Sequence, residues 1–269
     1  MNDYKSLLML KKTLMNFLII NKFDITKDKF NKDFKLKQFK TYLKTSILCS
    51  ILENEKKKFD KLEKSEPANS KNIQINKKCI QGHLNDYMKL TDFQKHRNNL
   101  SNIYTNIDGI KLLVYFMGET TLNTISNKYL KIMIQIMLYL DCTECVIISA
   151  NDPSNQFKKD LSLINTNVPY EDTSKIFRII SYTDNTFIDL TKHSYIPRLL
   201  QIYRNENAKK FIQENNLNSL DELPKIYISD PLCKFYRCKT DDIIELERET
   251  GIDNNLLDKQ LSYRHVINS

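Results

Sequence analysis

The sequence predicts an α/β N-terminal domain over residues 1–185 followed by a small α+β C-terminal domain over residues 190–269. Three observations lead there. Between residues 109 and 182 short apolar runs alternate with stretches of helical spacing, in the order strand, helix, strand, helix, strand. Beyond Tyr182 the texture changes to one helical segment and several short strand-like pieces. A chain of 269 residues with 41% hydrophobic side chains is long enough for two apolar cores and too apolar for wholesale disorder.

The elements follow in chain order. Asp3 to Ile20 reads as an amphipathic helix, with Asp3 as a cap and Tyr4, Leu7, Leu8, Leu14, Phe17 and Leu18 at three- and four-residue spacing. Lys5, Lys11 and Lys12 are assigned to its polar face. From Asn21 to Ile107 the pattern loosens into a mixed-charge run, Glu53 to Lys64, and a solvated loop from Ser65 to Ser70. The first strand is Ile110 to Met117, ended by Gly118. Ser126 to Leu140 is helical through Tyr129, Leu130, Met133, Ile136, Met137 and Leu140. Cys145 to Ser149 is a second strand, closed by the turn Asn151-Asp152-Pro153. Gln156 to Leu163 is a further helix and Ile176 to Tyr182 a third strand. Strands of such unbroken apolar character suit a sheet covered on both faces.

The join between domains falls near Asp184 to Asp189. Past it, Asn205 to Asn216 reads as a helix capped by Asn205. Ile226 to Ser229, Asp242 to Arg248 and Tyr263 to Ile267 read as strands, with Asp230-Pro231 opening a turn or short helix.

Composition narrows the function. No apolar run reaches the roughly 18 residues of a membrane helix, and the lysine-bearing N-terminus lacks the apolar region and cleavage site of a secretory signal. Four glycines in the whole chain exclude glycine-rich phosphate loops. Six cysteines without an export signal are expected as reduced thiols. The first hundred residues carry a net charge of +11, the next hundred −1 and the remainder −2, which together make the +8 of the chain. A basic region of this kind attracts polyanions, nucleic acid above all. A nucleotide-biased genome also enriches lysine, asparagine and isoleucine together, without any functional cause.

In the last third one ordered set of residues carries a resemblance. Leu190-Thr191-Lys192-His193-Ser194-Tyr195-Ile196-Pro197-Arg198 comes first, then Leu223-Pro224-Lys225-Ile226 and Asp230-Pro231. Lys234-Phe235-Tyr236, Lys239, the run Ile243 to Arg248 and finally Tyr263-Arg264 complete it. The set resembles the fifth subunit shared by the eukaryotic nuclear RNA polymerases, together with its archaeal RNA polymerase counterpart. More weakly, Tyr4 to Asp24, Leu112 to Met117, Lys128 to Met133 and Val146 to Pro153 fit the order of the eukaryotic members' N-terminal domain. Archaeal members lack that domain, so the resemblance favours a eukaryotic or eukaryote-infecting viral polymerase, in the nucleus or in a cytoplasmic virus factory or virion. The chain departs from the pattern where Arg237 and Asp241 replace glycines, where Leu199 replaces a histidine, and in an extended loop from Thr250 to Leu261.

The resemblance implies a non-catalytic polymerase subunit. Its C-terminal assembly domain docks on the largest subunit, and its N-terminal, jaw-like domain lies near downstream duplex DNA. The implied assembly residues are His193, Pro197, Arg198, Pro224, Lys225, Asp230, Pro231, Lys234, Tyr236, Lys239, Arg248, Tyr263 and Arg264. Core packing is the first account of Leu223, Ile226, Tyr236 and Ile244, and solvated surface competes for each lysine. Lys11, Lys12, Lys35, Lys37 and Lys40 are the DNA-facing candidates, with weak, sequence-independent attraction that falls with salt.

Other chemistries fit less well. Cys142 with Cys145 and Cys233 with Cys238 raise the question of zinc, but their spacings differ and Cys145 heads an apolar run, so buried thiols are expected. His83, His96, His193 and His265 are scattered, with no nucleophile motif beside them. Glu119, Asp141, Glu144 and Asp152 invite a metal-dependent nuclease reading, but Glu144 has no lysine two residues on. No cofactor and no metal are expected. The alternatives to a polymerase subunit are a free-standing basic nucleic-acid-binding protein and, third, a nuclease-like α/β protein.

Overall fold

A computed structural model describes residues 4–65, 70–117, 127–165, 175–193, 195–250 and 258–268. The chain divides into two compact units, Met1–Ile188 and Asp189–Ser269. Gly118, Glu119, Ser126, Ser194 and most of the loops at 65–70 and 250–261 lie outside the described residues.

The N-terminal unit begins with α1 (Tyr4–Ile20), α2 (Leu36–Tyr42), α3 (Ile47–Ser65), α4 (Ser70–Met88) and α5 (Asp92–Asn98). A four-stranded sheet follows. It consists of β1 (Asn102–Thr105), β2 (Lys111–Phe116), β3 (Glu144–Ser149) and β4 (Arg178–Thr183), in that spatial order. β1 is antiparallel to β2, and β2, β3 and β4 are parallel, connected through α6 (Asn127–Tyr139) and α7 (Asn155–Ile164). The β1–β2 turn places Gly109 at φ +78°, a conformation glycine adopts without strain. The Asn106 side chain accepts the amides of Asp108 and Ile110 across this turn.

Five of the six side chains in both β2 and β3 are buried, so the sheet is covered on both faces. Leu113, Tyr115, Cys145, Ile147 and Ile179 point to one face. There they share a core with Leu48 and Leu52 of α3, Ile80 of α4, Met133 and Met137 of α6 and Phe157 of α7. The opposite face carries Tyr104 and Tyr182. Lys11 of α1 bonds Tyr104, and Phe17 of α1 meets Phe187, which in turn packs on Tyr182 at 5.0 Å. Helix, sheet, helix is a layered α/β arrangement with the sheet covered on both faces, as the sequence predicts.

Between residues 27 and 107 the structure supplies what periodicity leaves blank. The mixed-charge run Glu53 to Lys64 lies inside α3, whose first turns bury Leu48, Cys49 and Leu52. α5 opens on a capping box, in which the Gln94 side chain accepts the Thr91 amide at 2.8 Å and Thr91 Oγ1 accepts the Gln94 amide. Arg97 on α5 is buried. Its Nε donates to the Met117 carbonyl at 2.7 Å and its guanidinium pairs with Asp184, so one side chain ties the ends of β2 and β4.

Lys11 requires a correction. It is fully buried, not on the polar face of α1, and its ammonium pairs with Asp28 at 2.6 Å. Leu7, Lys11, Leu14 and Leu18 share one helical stripe, so the spacing itself places Lys11 inside.

The C-terminal unit starts at a 3-10 turn, Leu190–Lys192, where the Asp189 carboxylate accepts the Thr191 amide. β5 (Arg198–Tyr203), α8 (Glu206–Glu214), a second 3-10 turn Leu220–Glu222, β6 (Lys225–Tyr227), α9 (Pro231–Phe235), β7 (Ile243–Thr250) and β8 (Asp258–Ile267) complete it. The sheet order is β5-β7-β8-β6, antiparallel except for the β6–β8 pair. α8 lays Ala208 and Phe211 on Ile243, with the Tyr203 and Tyr263 rings 4.9 and 4.8 Å from Phe211. Asn205 takes the cap position of α8 at φ +49° and makes no side-chain cap bond, unlike the cap the sequence suggests. This is the small α+β unit expected. β5 is the strand not foreseen: its register shifts between Leu199 and Gln201, which breaks the two-residue alternation that marks a strand.

Candidate functional site

The segment from β6 to β7 is built around a cap and a buried carboxylate. Asp230 caps α9 by accepting the Leu232 amide at 2.8 Å, and Pro231 occupies the first helical position, where its missing N–H costs nothing. α9 buries Leu232, Cys233 and Phe235 and ends at half-buried Tyr236. The chain then reverses through Arg237 at φ +53° and Asp241 at φ +68°. These are the two positions where the resemblance has glycine. Asp242, 4% exposed, holds the reversal: its Oδ2 accepts the Lys239 amide at 2.7 Å and the Arg204 Nε at 3.2 Å. Burial raises the Asp242 pKa, opposed by the Lys239 amide and by Arg204. Arg204 also donates to the Arg237 carbonyl. In the sequence Asp242 reads only as the start of a strand and Arg204 carries no spacing signal, so their pairing is visible only in the fold.

The thirteen assembly candidates do not share one surface. Strand alternation sets Ile244, Leu246 and Arg248 of β7 on the same face as Arg264 of β8. Tyr263 and His265 point to the other face, with Lys225 of β6 opposite His265 in register. The Tyr263 and Tyr203 hydroxyls both donate to Glu245, and Tyr203 is pushed up to about 12 by burial and by Glu245. Lys225 pairs with Asp221 at 2.9 Å. His193, Arg198, Pro224, Lys225, Pro231, Lys239 and Arg248 are exposed; Pro197, Asp230, Lys234, Tyr236, Tyr263 and Arg264 are half-buried. Asp230 and Tyr236 therefore act in the fold at least as much as on the surface.

In the N-terminal unit the basic surface lies after α1. Lys22, Lys27, Lys29, Lys32, Lys35, Lys37, Lys40 and Lys44 are all exposed, whereas among the acids of that span Asp28 is buried against Lys11. Lys12 is half-buried. Lys35, Lys37 and Lys40 lie in or beside α2, so four of the five DNA-facing candidates remain at the surface and Lys11 does not.

The cysteine pairs are buried. Cys142, Cys145, Cys233 and Cys238 are at most 1% exposed. Burial pushes the Cys142 thiol up to about 12, and the Cys238 side chain together with burial raises Cys233. Asp141 is exposed and bonded to Lys175, and Asp152 is exposed. Among the described residues no three His, Cys, Asp or Glu side chains are gathered as a metal ion would need.

Residues 188–266 match the family model of the RNA polymerase Rpb5 C-terminal domain. Residues 188–266 are thus similar to the Rpb5 C-terminal domain. The match begins one residue before the C-terminal unit and takes in β5 to β7 and β8 as far as Val266, so the likeness to Rpb5 extends over nearly all of a folded unit. Apart from Ile188, the N-terminal unit lies outside the matched residues. No curated protein matches the chain. The matched domain is one of an RNA polymerase subunit, which ties residues 188–266 to transcription. Among the described residues no helix is long and apolar enough to cross a membrane.

Proposed function

We propose that the Rpb5-type unit docks on the largest subunit of a multisubunit DNA-directed RNA polymerase, and that the N-terminal unit sits beside downstream duplex DNA without performing chemistry of its own. The family match over residues 188–266 carries this reading. The exposed members of the assembly set, His193, Arg198, Pro224, Lys225, Pro231, Lys239 and Arg248, form the candidate contact surface. Proline at three of the connections of this unit, Pro197, Pro224 and Pro231, fixes local φ and lowers the entropy lost when the surface is held in shape. The eight exposed lysines from Lys22 to Lys44 support the DNA-facing half, since each phosphate contact adds sequence-independent affinity that falls with salt.

Copurification tests the docking. A tagged chain recovers the largest polymerase subunit in fixed proportion, and a chain ending at residue 188 does not. Recovery of the tagged chain as a free monomer refutes the docking. DNA proximity is read separately, by crosslinking from the Lys22–Lys44 segment in the assembled polymerase to downstream template.

A further inference from the structure

Side chains from three separate elements converge on one spot of the N-terminal unit. The Tyr4 hydroxyl on α1 bonds His96 Nδ1 on α5 at 2.8 Å, with ring centroids 5.7 Å apart. Lys40 on α2 holds its ammonium over the Tyr4 ring, 4.4 Å from the centroid, and Phe93 packs edge-on against that ring at 5.4 Å. Lys44, just past α2, is exposed and acts electrostatically on His96. The charged groups that act on His96 are therefore Lys40 and Lys44 from the α2 side and Asp92 from its own helix, while Tyr4 faces it from α1. Among the described residues neither Lys40 nor Lys44 has a carboxylate partner.

The arrangement has two properties of an anion site. Positive groups outnumber the single carboxylate, a self-repulsion that a bound anion relieves. The Tyr4 ring and the Tyr4–His96 bond also fix a cation and an imidazole in place, where free surface lysines would be mobile. If Tyr4 donates to Nδ1, the neutral imidazole carries its proton on Nε2, and that atom remains a donor when the ring is charged. Nε2 has no protein partner among the described residues.

We propose that Tyr4, Lys40, Lys44 and His96 form a clasp for a backbone phosphate of duplex DNA. The clasp rests on the reading of the N-terminal unit as DNA-facing and names the residues through which it engages. It also gives that contact a pH dependence. Burial lowers the His96 pKa, opposed by Asp92 and assisted by Lys44 and Lys40. A phosphate offsets the two lysines and favours the charged ring, so binding takes up a proton and tightens as pH falls.

Fluorescence anisotropy of the full chain with a labelled duplex of about 20 base pairs tests the clasp, with salt titrations at pH 6 and pH 8. The expected result is affinity several-fold higher at pH 6, a preference that His96→Gln abolishes. Lys44→Gln, at an exposed position, lowers the slope of log K against log salt by about 0.9 at both pH values. Unchanged slope in Lys44→Gln, or an intact pH preference in His96→Gln, overturns the clasp while salt-dependent DNA binding still stands. Absence of salt-dependent binding by the unaltered chain overturns the DNA-facing reading together with the clasp.

Discussion

Lys11 and Asp28 form a fully buried ion pair, 2.6 Å between Nζ and Oδ2, that joins α1 to the segment preceding α2. Asp28 has its lone pairs filled: Tyr104 donates at 2.6 Å, Tyr42 at 3.0 Å and the Phe30 amide at 3.0 Å. The ammonium lies 5.6 to 5.8 Å from the Phe30, Tyr42 and Tyr104 ring centroids. Burial alone would raise the Asp28 pKa, but Lys11, the Tyr104 hydroxyl and the Phe30 amide leave it below the usual 3.8. A pair so placed is costly to break and cheap to replace whole. Asp28→Asn should cost about 3–5 kcal/mol in urea unfolding of the full chain, because it strands the ammonium. Lys11→Met with Asp28→Asn should recover much of that loss. A double variant as unstable as the single one would show that the pair's charge is not what the site requires. Since the folded Asp28 pKa is depressed, its contribution is present above pH 3.8 and is lost as pH falls through the folded value.

His83 of α4 also destabilises the N-terminal unit as pH falls, through a higher pH window. Its ring packs on Tyr115 at 5.7 Å, Nε2 is buried with no partner, and burial, weakly opposed by Asp86, lowers its pKa to about 4. Unfolding returns it to 6.5, so the unfolded chain binds the proton first and stability falls as pH drops from about 6.5 to 4. The loss is bounded at roughly 3 kcal/mol. His83→Leu should flatten that part of the stability profile and be neutral or mildly stabilising at pH 7, since it removes an unsatisfied polar atom. Chemical denaturation at pH 7 and pH 5 measures both effects.

How much of this was legible follows from what each element announces. β2 and β3 are nearly continuous apolar runs, β4 is centred on Ile179 and Ile180, and α6 keeps its spacing, so the sheet and its crossovers read directly from the sequence. α3 did not, because after Leu52 its exposed face takes over and the pattern becomes one of charge. α5 announced itself only through Thr91 and Gln94, a box that periodicity does not detect. β5 was hidden by the bulge at Leu200. In the candidate site, the order of prolines and basic residues was visible. Their division between two faces of a sheet became apparent only with the register of β7 on β8.

The reversal between α9 and β7 tests whether side-chain identity matters where the resemblance has glycine. Asp241 stands at φ +68°, its amide donates to the Val266 carbonyl, and its carboxylate lies 3.2 Å from His265 Nε2. Asp241→Ala and Asp241→Gly both lose the carboxylate, so the difference between them isolates the backbone. Alanine should be the less stable by about 1 kcal/mol, the cost of a Cβ in the left-handed region. Thermal unfolding of the two variants gives the comparison. Equal midpoints would mean that the turn relaxes to negative φ.

Arg248 separates a docking role from a folding role. It is exposed towards the end of β7, past Ile244 and Leu246 of the same face, which the fold itself buries, shares that face with Arg264 of β8, and has no protein ion-pair partner among the described residues. Arg248→Glu should leave the unfolding midpoint unchanged within about 0.5 kcal/mol, as surface substitutions usually do. If the face meets the largest subunit, charge reversal there should reduce recovery of that subunit by the tagged chain roughly ten-fold, the effect of 1.4 kcal/mol at an interface. Asp230→Ala is the contrasting case: it removes the α9 cap at a cost of about 1 kcal/mol and weakens docking only through the fold. Full recovery with Arg248→Glu would remove this face from the interface and move the search to the α8 side, where Lys225 and Tyr263 lie.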